Sequence, residues 1–488
     1  MTDTDTNRSV GRAHGTHYAK GFQDLDQEVD KLTLKIISGK TPSWLKGNLL
    51  RNGPAKFTLG KQHYLHWFDG LSMLHRFHFD AGNVLYSNRF ITTRAYTEGL
   101  EKQKIVYPTF ATVPNYYFLR SIIQWFRAPE SGQNPGVSVA RFGGEYFALT
   151  ETTAIVKFDD QSLSTKEVVE FDDAVSGDVT TAHPHYDFNH KSLINFNVKF
   201  GRQSEYVYFR SRNNIRHREL IGRIPVDQPS YTHSFAMSEH FIIHVDFPLV
   251  AHPLRIRFGN IPYINCYQWK PERGTRFTIL EKSSGKIVKQ HQAPACFAFH
   301  HINAYETGND IIIDMAVKPD ASLIEDLYLE HLRNCQGRPI RTPSRLQRFI
   351  LPLSSGEVRK ETISEEYLEM PTINYRHCNG RNYAYVYGIG LNKDYLDDFE
   401  NQLIKINVNT GTHLTWHETN CYPWEPIFVK GPNSVDEDDG VILSTVLDAD
   451  KDQCFLLILA AQDFSELARV AIPHIIPLGF HAQFFHTK

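Results

Sequence analysis

SLINFNVKF, residues 192–200, sets how the rest of the chain is read. It is short, rich in β-branched and aromatic residues and closed by Gly201, which marks a strand rather than a helix. Runs of the same kind recur almost to the end: EYFALT at 145–150, FIIHVD at 241–246, IIIDMAV at 311–317, YAYVY at 383–387 and VILSTV at 441–446. Gly, Pro, Asn and Asp bound them. No βαβ alternation separates them, which argues against a parallel α/β sheet. So many short strands over this length imply a propeller or a large barrel, folds that hide their strand edges by closure. No W-D or kelch-type repeat is present, so a propeller here has diverged blades. Residues 1–20 are polar and expected as a loose tail, and residues 21–488 read as a single all-β domain.

Composition narrows the function classes. The 488 residues are 41% hydrophobic and 22% charged, so the chain can bury a core and is not a disordered one. A net charge of -3 gives no basic excess to neutralise phosphates, which argues against a nucleic-acid partner. Six cysteines lie no closer than 30 residues apart and form no C-x-x-C pair, so inert thiols in a reduced, cytoplasmic setting are expected. The N-terminal stretch has no apolar core of a signal peptide, and no apolar run approaches a membrane span. No obligatory protein partner is evident.

Several weaker signals carry no chemistry. GIGLNK at 388–393 lacks the third glycine of a dinucleotide site, the acidic run at 436–439 lacks the spacing of a calcium loop, and no G-x-S-x-G motif occurs. A non-enzymatic binding platform is the competing reading for a propeller.

One segment departs from the β pattern. Residues 113–128 read VPNYYFLRSIIQWFRA, placing Phe118, Leu119, Ile122, Ile123 and Phe126 on one helical stripe with Arg120, Gln124 and Arg127 opposite. The stripe suits a helix packed on the core. It equally suits an interfacial helix, whose Trp125 and arginines would occupy a headgroup layer.

The feature that asks for a function is a count of 24 histidines. Four stand at the ends of apolar or aromatic runs: His183 in TTAHPHYD, His233 in YTHSFAM, His300 in FAFHHINAYE and His481 in PLGFHAQF. Gaps of 50, 67 and 181 residues exclude a local motif, so a common site requires convergence from separate strands, as on a propeller axis. Only one member of each pair, His183/His185 and His300/His301, is expected at such a centre. Most of the other histidines are expected on surfaces or in turns.

At these segments the chain resembles the carotenoid cleavage oxygenases. The matching stretches include LLRNGPAKF (49–57), HWFDGLSMLHRF (66–77), ALTET, TAHPHYD, YTHSFAMSEHFIIHVDFPL, FHHINAYE, EMPTIN, EPIFV, DEDDGVILSTVLD and GFHAQF, in family order from about residue 35 to 485. The resemblance implies a seven-bladed β-propeller with a helical and loop dome over its top face, and one Fe(II) per chain on the axis. By motif, His183, His233, His300 and His481 match the iron ligands, and Glu151, Glu369 and Glu425 match carboxylates that orient them. Imidazole suits Fe(II), and a carboxylate accepting its other N–H fixes the tautomer and raises its basicity. Four histidines on an octahedral ion leave positions for O2 and solvent. The implied reaction is O2 insertion across one conjugated C=C bond of a carotenoid or apocarotenoid, giving two carbonyl products.

Within the family, Thr150 stands where stilbene-cleaving members carry a lysine, which disfavours phenol activation. Thr150 with HWFDG, TAHPHYD and FHHINAYE is similar to the animal-type branch of β-carotene oxygenases and the retinoid isomerase. Phe110 matches an aromatic that lines the cleft there. The isomerase's Pro-Asp-Pro-Cys-Lys segment has no counterpart. Central 15,15′ cleavage to retinal is therefore the expected activity, ahead of eccentric cleavage, stilbene cleavage and isomerisation. A polyene substrate resides in bilayers, which tilts residues 113–127 toward peripheral, reversible docking on a membrane surface.

Overall fold

Strand runs that are apolar on both faces have to be covered on both faces, and seven of the sheets do this by packing around a common axis as blades. The computed structural model describes residues 17–114, 133–258 and 261–487. In chain order the blades are built on Gly47–Lys56 with Leu71–Asp80 and Asn83–Phe90; Ser138–Val168; Val179–Val226; Ala236–Ala293; His301–Tyr367; Glu369–His417; and Cys421–Ile472. The chain is a seven-bladed β-propeller, as the resemblance implies.

Burial follows position in the blade. Gly440–Asp448 (GVILSTVLD) and Gln453–Ala460 (QCFLLILA) pair in mid-blade and are buried along nearly their whole length. Arg359–Tyr367 (RKETISEEY), the outer strand of the fifth blade, is largely exposed and charged, which blunts an otherwise open edge.

Two strands from the chain ends close the ring. Ala482–His486 becomes the innermost strand of the first blade, pairing with Gly47–Arg51. Ile36–Gly39 becomes the outermost strand of the seventh, pairing with Ala468–Val470. The second closure depends on a glycine. Gly39 has φ +70°, and a Cβ there would lie 2.0 Å from the Leu467 carbonyl oxygen.

Residues 17–20, expected in a loose tail, are ordered. His17–Phe22 forms a 3-10 turn whose Tyr18 and Phe22 are buried, Tyr18 stacking on Phe399 at 5.3 Å. Two aromatics in a polar-looking stretch are enough to pin it to the core. Long connections on one face, carrying Arg94–Lys102, Pro253–Phe258, Leu323–Asp326 and Leu329–Asn334, form the dome over a cavity. No helix among the described residues is long and apolar enough to cross a membrane. The stripe of Phe118, Leu119, Ile122, Ile123, Trp125 and Phe126 lies outside the described residues.

Candidate metal centre

Four blades deliver their histidines at the same point of the chain, just before or at the start of an innermost strand. His183 precedes His185–Asp187, His233 precedes Ala236–Met237, His300 precedes His301–Thr307 and His481 precedes Ala482–His486. One nitrogen from each ring lies within 4.8 Å of the others. Ring centroids are 4.4 Å apart for His183 and His481, 4.6 Å for His183 and His233, and 6.5 Å for His233 and His481. His185 and His301 point elsewhere. His185 Nε2 donates to the Phe235 carbonyl at 2.9 Å, and His301 Nδ1 meets Ser234 Oγ at 2.8 Å.

Short cross-blade bonds fix the turns that carry these rings. Thr181 Oγ1 accepts the His183 N–H at 3.0 Å and donates to the His233 carbonyl. Ser234 Oγ donates to Phe299 O at 2.6 Å and accepts the His301 N–H at 3.1 Å, joining the fourth blade to the fifth. The His481 N–H donates to Val137 O at 3.1 Å and its carbonyl accepts from Asn52 N at 3.0 Å, joining the first blade to the second.

Each of the three glutamates serves one ring. His233 Nδ1–H donates to Glu151 Oε1 at 2.5 Å, His300 Nδ1–H to Glu369 Oε2 at 2.9 Å, and His481 Nδ1–H to Glu425 Oε1 at 2.7 Å. The carboxylates are themselves held. Tyr231 Oη–H donates to Glu151 at 2.8 Å, Met370 N–H to Glu369 at 3.0 Å and Ala482 N–H to Glu425 at 2.6 Å. With Nδ1 committed, Nε2 is the nitrogen left for the centre. His183 has no carboxylate partner of this kind among the described residues.

The electrostatics favour neutral rings. Burial, with the other three imidazoles adding to it, holds His183 well below the usual histidine range. Burial also lowers His300 against the pull of Glu369. Burial alone would raise Glu369, but His300, Lys318 and the Met370 N–H together take it below the ordinary carboxylate range. His300 Nε2 is buried without a hydrogen-bond partner, and His183 Nε2 and His233 Nε2 lie 2.9 Å apart. Four imidazole nitrogens around one point, one of them unsatisfied and buried, fit a single divalent metal ion.

His233, His300 and His481 reach the wall of a cavity of about 1290 Å³ beneath the dome. Its lining is largely aromatic and aliphatic and includes Phe68, Phe110, Phe299, Trp424 and Phe480, of which Phe299 packs on His233 at 5.1 Å. Phe110 packs on His66, Phe68, Tyr231 and Tyr263, and Thr150 lies in the same wall. Two residues of the site escaped the sequence reading: Tyr231, which holds Glu151, and Glu400, which lines the cavity. Tyr231 is two residues from His233, so strand alternation could have placed it on the same side. Glu400, lifted to about 7 by burial with Glu369 adding and Lys318 opposing, carried no signal.

Other histidines depart from the expected surface positions. His66, His75, His244 and His291 are buried and bond to Ile324 O, Tyr86 Oη, Tyr208 Oη and Pro352 O. Imidazole serves here as a polar core group, since one ring can donate and accept at once.

Known proteins resemble the chain over nearly its whole length. The sequence profile described as retinal pigment epithelial membrane protein matches residues 22–486. A mitochondrial carotenoid-cleaving dioxygenase of Mustela putorius furo is 30% identical, with 99% of each chain covered. A beta,beta-carotene 15,15'-dioxygenase of Homo sapiens is 30% identical over 92% of this chain and 91% of its own. A mutant of Synechocystis apocarotenoid oxygenase superposes with TM-score 0.86 at 25% identity, covering 98% of this chain and 100% of that one. The cobalt-substituted form of that oxygenase shares the fold at TM-score 0.86 and 24% identity, with the same coverage. The chain belongs to the retinal pigment epithelial membrane protein family, the carotenoid cleavage oxygenases, and is an enzyme of that class.

Proposed function

We propose that this enzyme splits one conjugated C=C bond of a carotenoid or apocarotenoid with O2, and that the bond is the central 15,15′ one, so that β-carotene yields retinal. The observation that carries this reading is the juxtaposition of three carboxylate-oriented histidines with an aromatic-lined cavity. The balance is closed: one C=C and one O2 become two C=O groups, with no external reductant. His183, His233, His300 and His481 hold Fe(II), which when bound supplies the means of activating O2 beside the polyene.

The chain's own residues set the conditions for that chemistry. Glu151, Glu369 and Glu425 hold three imidazoles in the ligating tautomer. Phe110 and the rings around it present faces and edges to a flat polyene and exclude water from the reacting bond. Thr150 has no charge to offer a phenol, which fits a polyene better than a hydroxystilbene. Ile261, 36% exposed, lines the cavity, and nearby Leu254 is 60% exposed. Such exposed apolar side chains fit an entrance for a bilayer-resident substrate, and the amphipathic sequence of residues 113–127 suits docking on a membrane surface.

The test is product identification. Purified protein loaded with Fe(II) is incubated with β-carotene, β-apocarotenals and a hydroxystilbene, and products are identified by mass. Retinal from β-carotene is expected. Products from another double bond would move the cut, and aldehydes from the stilbene alone would overturn the substrate class.

A further inference from the structure

The cavity wall holds several carboxylates, and the structure shows what most of them do. Glu151 and Glu369 orient histidines, Asp173 pairs with Arg218 at 2.9 Å, and Asp178 accepts the Phe200 N–H at 2.7 Å. Glu170 is exposed to solvent. Glu400 is different. It is partly shielded, lines the cavity and makes no side-chain hydrogen bond or ion pair among the described residues. The buried cation in its neighbourhood, Lys318, donates instead to the Thr342 carbonyl at 2.9 Å.

Its position is not loose. Phe399 on one side is 1% exposed and stacks on Tyr18 at 5.3 Å and on Trp424 at 6.3 Å. Asn401 on the other side donates its backbone N–H to Gly390 O at 3.0 Å and its side-chain amide to Asp398 at 3.2 Å. Both neighbours are anchored, so the backbone presents Glu400 to the cavity in a fixed frame. Leu323, Leu327, Ile340 and Met370 line the same cavity and offer no polar partner through their side chains. A carboxyl left without a partner in such a wall costs free energy, and a hydrocarbon substrate filling the cavity would raise that cost by removing water.

We propose that Glu400 is a specificity-determining residue that hydrogen-bonds an oxygen on the substrate's end group, so that the enzyme prefers a carotenoid or apocarotenoid with a hydroxyl or carbonyl terminus over the hydrocarbon β-carotene. A ring hydroxyl donates to the carboxylate, and a terminal carbonyl accepts from the carboxylic acid. Burial keeps both forms of Glu400 accessible near neutral pH. No covalent step is involved. The inference rests on the carotenoid-cleaving reading given above and refines its substrate.

The test compares β-carotene, its 3,3′-dihydroxy analogue and a long β-apocarotenal, using Fe(II)-loaded wild type, Glu400→Gln and Glu400→Leu. The wild type is expected to prefer one oxygenated substrate over β-carotene in kcat/KM. That ratio should fall about 10- to 100-fold in Glu400→Leu and much less in Glu400→Gln, which keeps a donor and an acceptor. Equilibrium binding to metal-free wild type, read from the polyene absorption shift, should show the same preference without catalysis. Cleavage of all three by a wild type that neither prefers nor binds an oxygenated substrate more tightly overturns the inference and leaves the cleavage reading standing. An unchanged ratio in a folded Glu400→Leu also overturns it. A wild type that cleaves none of the three overturns the reading itself, and the inference with it.

Discussion

His481 Nδ1–H donates to Glu425 Oε1 at 2.7 Å while the second oxygen of that carboxylate accepts the Ala482 N–H at 2.6 Å, so one side chain locks both the ring and the first peptide of the propeller's closing strand. The carboxylate thus couples metal geometry to ring closure. Glu425→Gln keeps the volume but removes the charge and one acceptor. It should weaken metal affinity about 10- to 100-fold while the protein remains folded. Chelator competition followed by metal analysis measures this, and wild-type affinity in the variant would refute it.

His300 is buried, and its Nε2 has no partner among the described residues. His300→Ala should therefore lose bound iron and cleavage activity together, reducing activity by at least about 100-fold. The variant also leaves Glu369 buried beside Lys318 without its imidazole, so a modest fall in thermal stability is expected. A variant that cleaves carotenoid with no metal bound would end the proposed mechanism.

Tyr231 tests whether the carboxylates need support of their own. Its hydroxyl reaches both oxygens of Glu151, at 2.8 and 3.0 Å, while the ring packs edge-on against Phe110. Tyr231→Phe keeps the packing and deletes the bond. About a 3- to 30-fold loss of metal affinity is expected, smaller than for Glu425→Gln because His233 still bonds the carboxylate. Isothermal titration with a divalent metal decides it; a larger loss than in Glu425→Gln would reverse the assigned order.

His66 gives a pH prediction with a definite sign. Its Nε2–H donates to Ile324 O at 2.9 Å, and its Nδ1 accepts the Phe68 N–H at 3.1 Å. Only the neutral ring satisfies both. Burial lowers its pKa to about 3, against 6.5 as the ordinary value, with the Ile324 bond opposing. The unfolded chain therefore binds a proton below about pH 6.5 that the folded chain refuses until about pH 3. Stability is full above pH 6.5 and falls with pH across that window, by up to ~1.4 kcal/mol per unit from this residue. His75, His185 and His301, lowered in the same direction, add to the slope. Urea midpoints of wild type and His66→Gln at several pH values should differ in slope by about one proton; parallel curves would contradict the assignment.

The same residues show how much could be read from the sequence. Strand runs such as SLINFNVKF and VILSTV are the blades' own central strands, because the apolar content needed to bury both faces is written in the run itself. The number of blades and the two closures were not legible from periodicity. They depend on Ile36–Gly39 pairing with a strand more than 400 residues away, and no local pattern records that. The four histidines were legible through motif and resemblance, but their pairing with Glu151, Glu369 and Glu425 required the fold. Glu400 was invisible because an unpartnered carboxylate differs from a solvated one only in its surroundings.

Closure at Gly39 can be separated from ordinary backbone strain. Gly39 and Gly144 both have positive φ, +70° and +87°, but nothing lies within 4 Å of a Cβ at Gly144. Gly144→Ala should cost about 1 kcal/mol, the price of the left-handed conformation alone. Gly39→Ala adds a backbone clash with Leu467 O, so the outer strand of the seventh blade must shift or detach from Ala468–Val470. A clearly larger loss of stability is expected there, together with faster amide exchange along Ala468–Val470 and little change at the histidines on the axis. Equal destabilisation by the two substitutions would mean that this N-terminal strand contributes nothing to holding the ring shut.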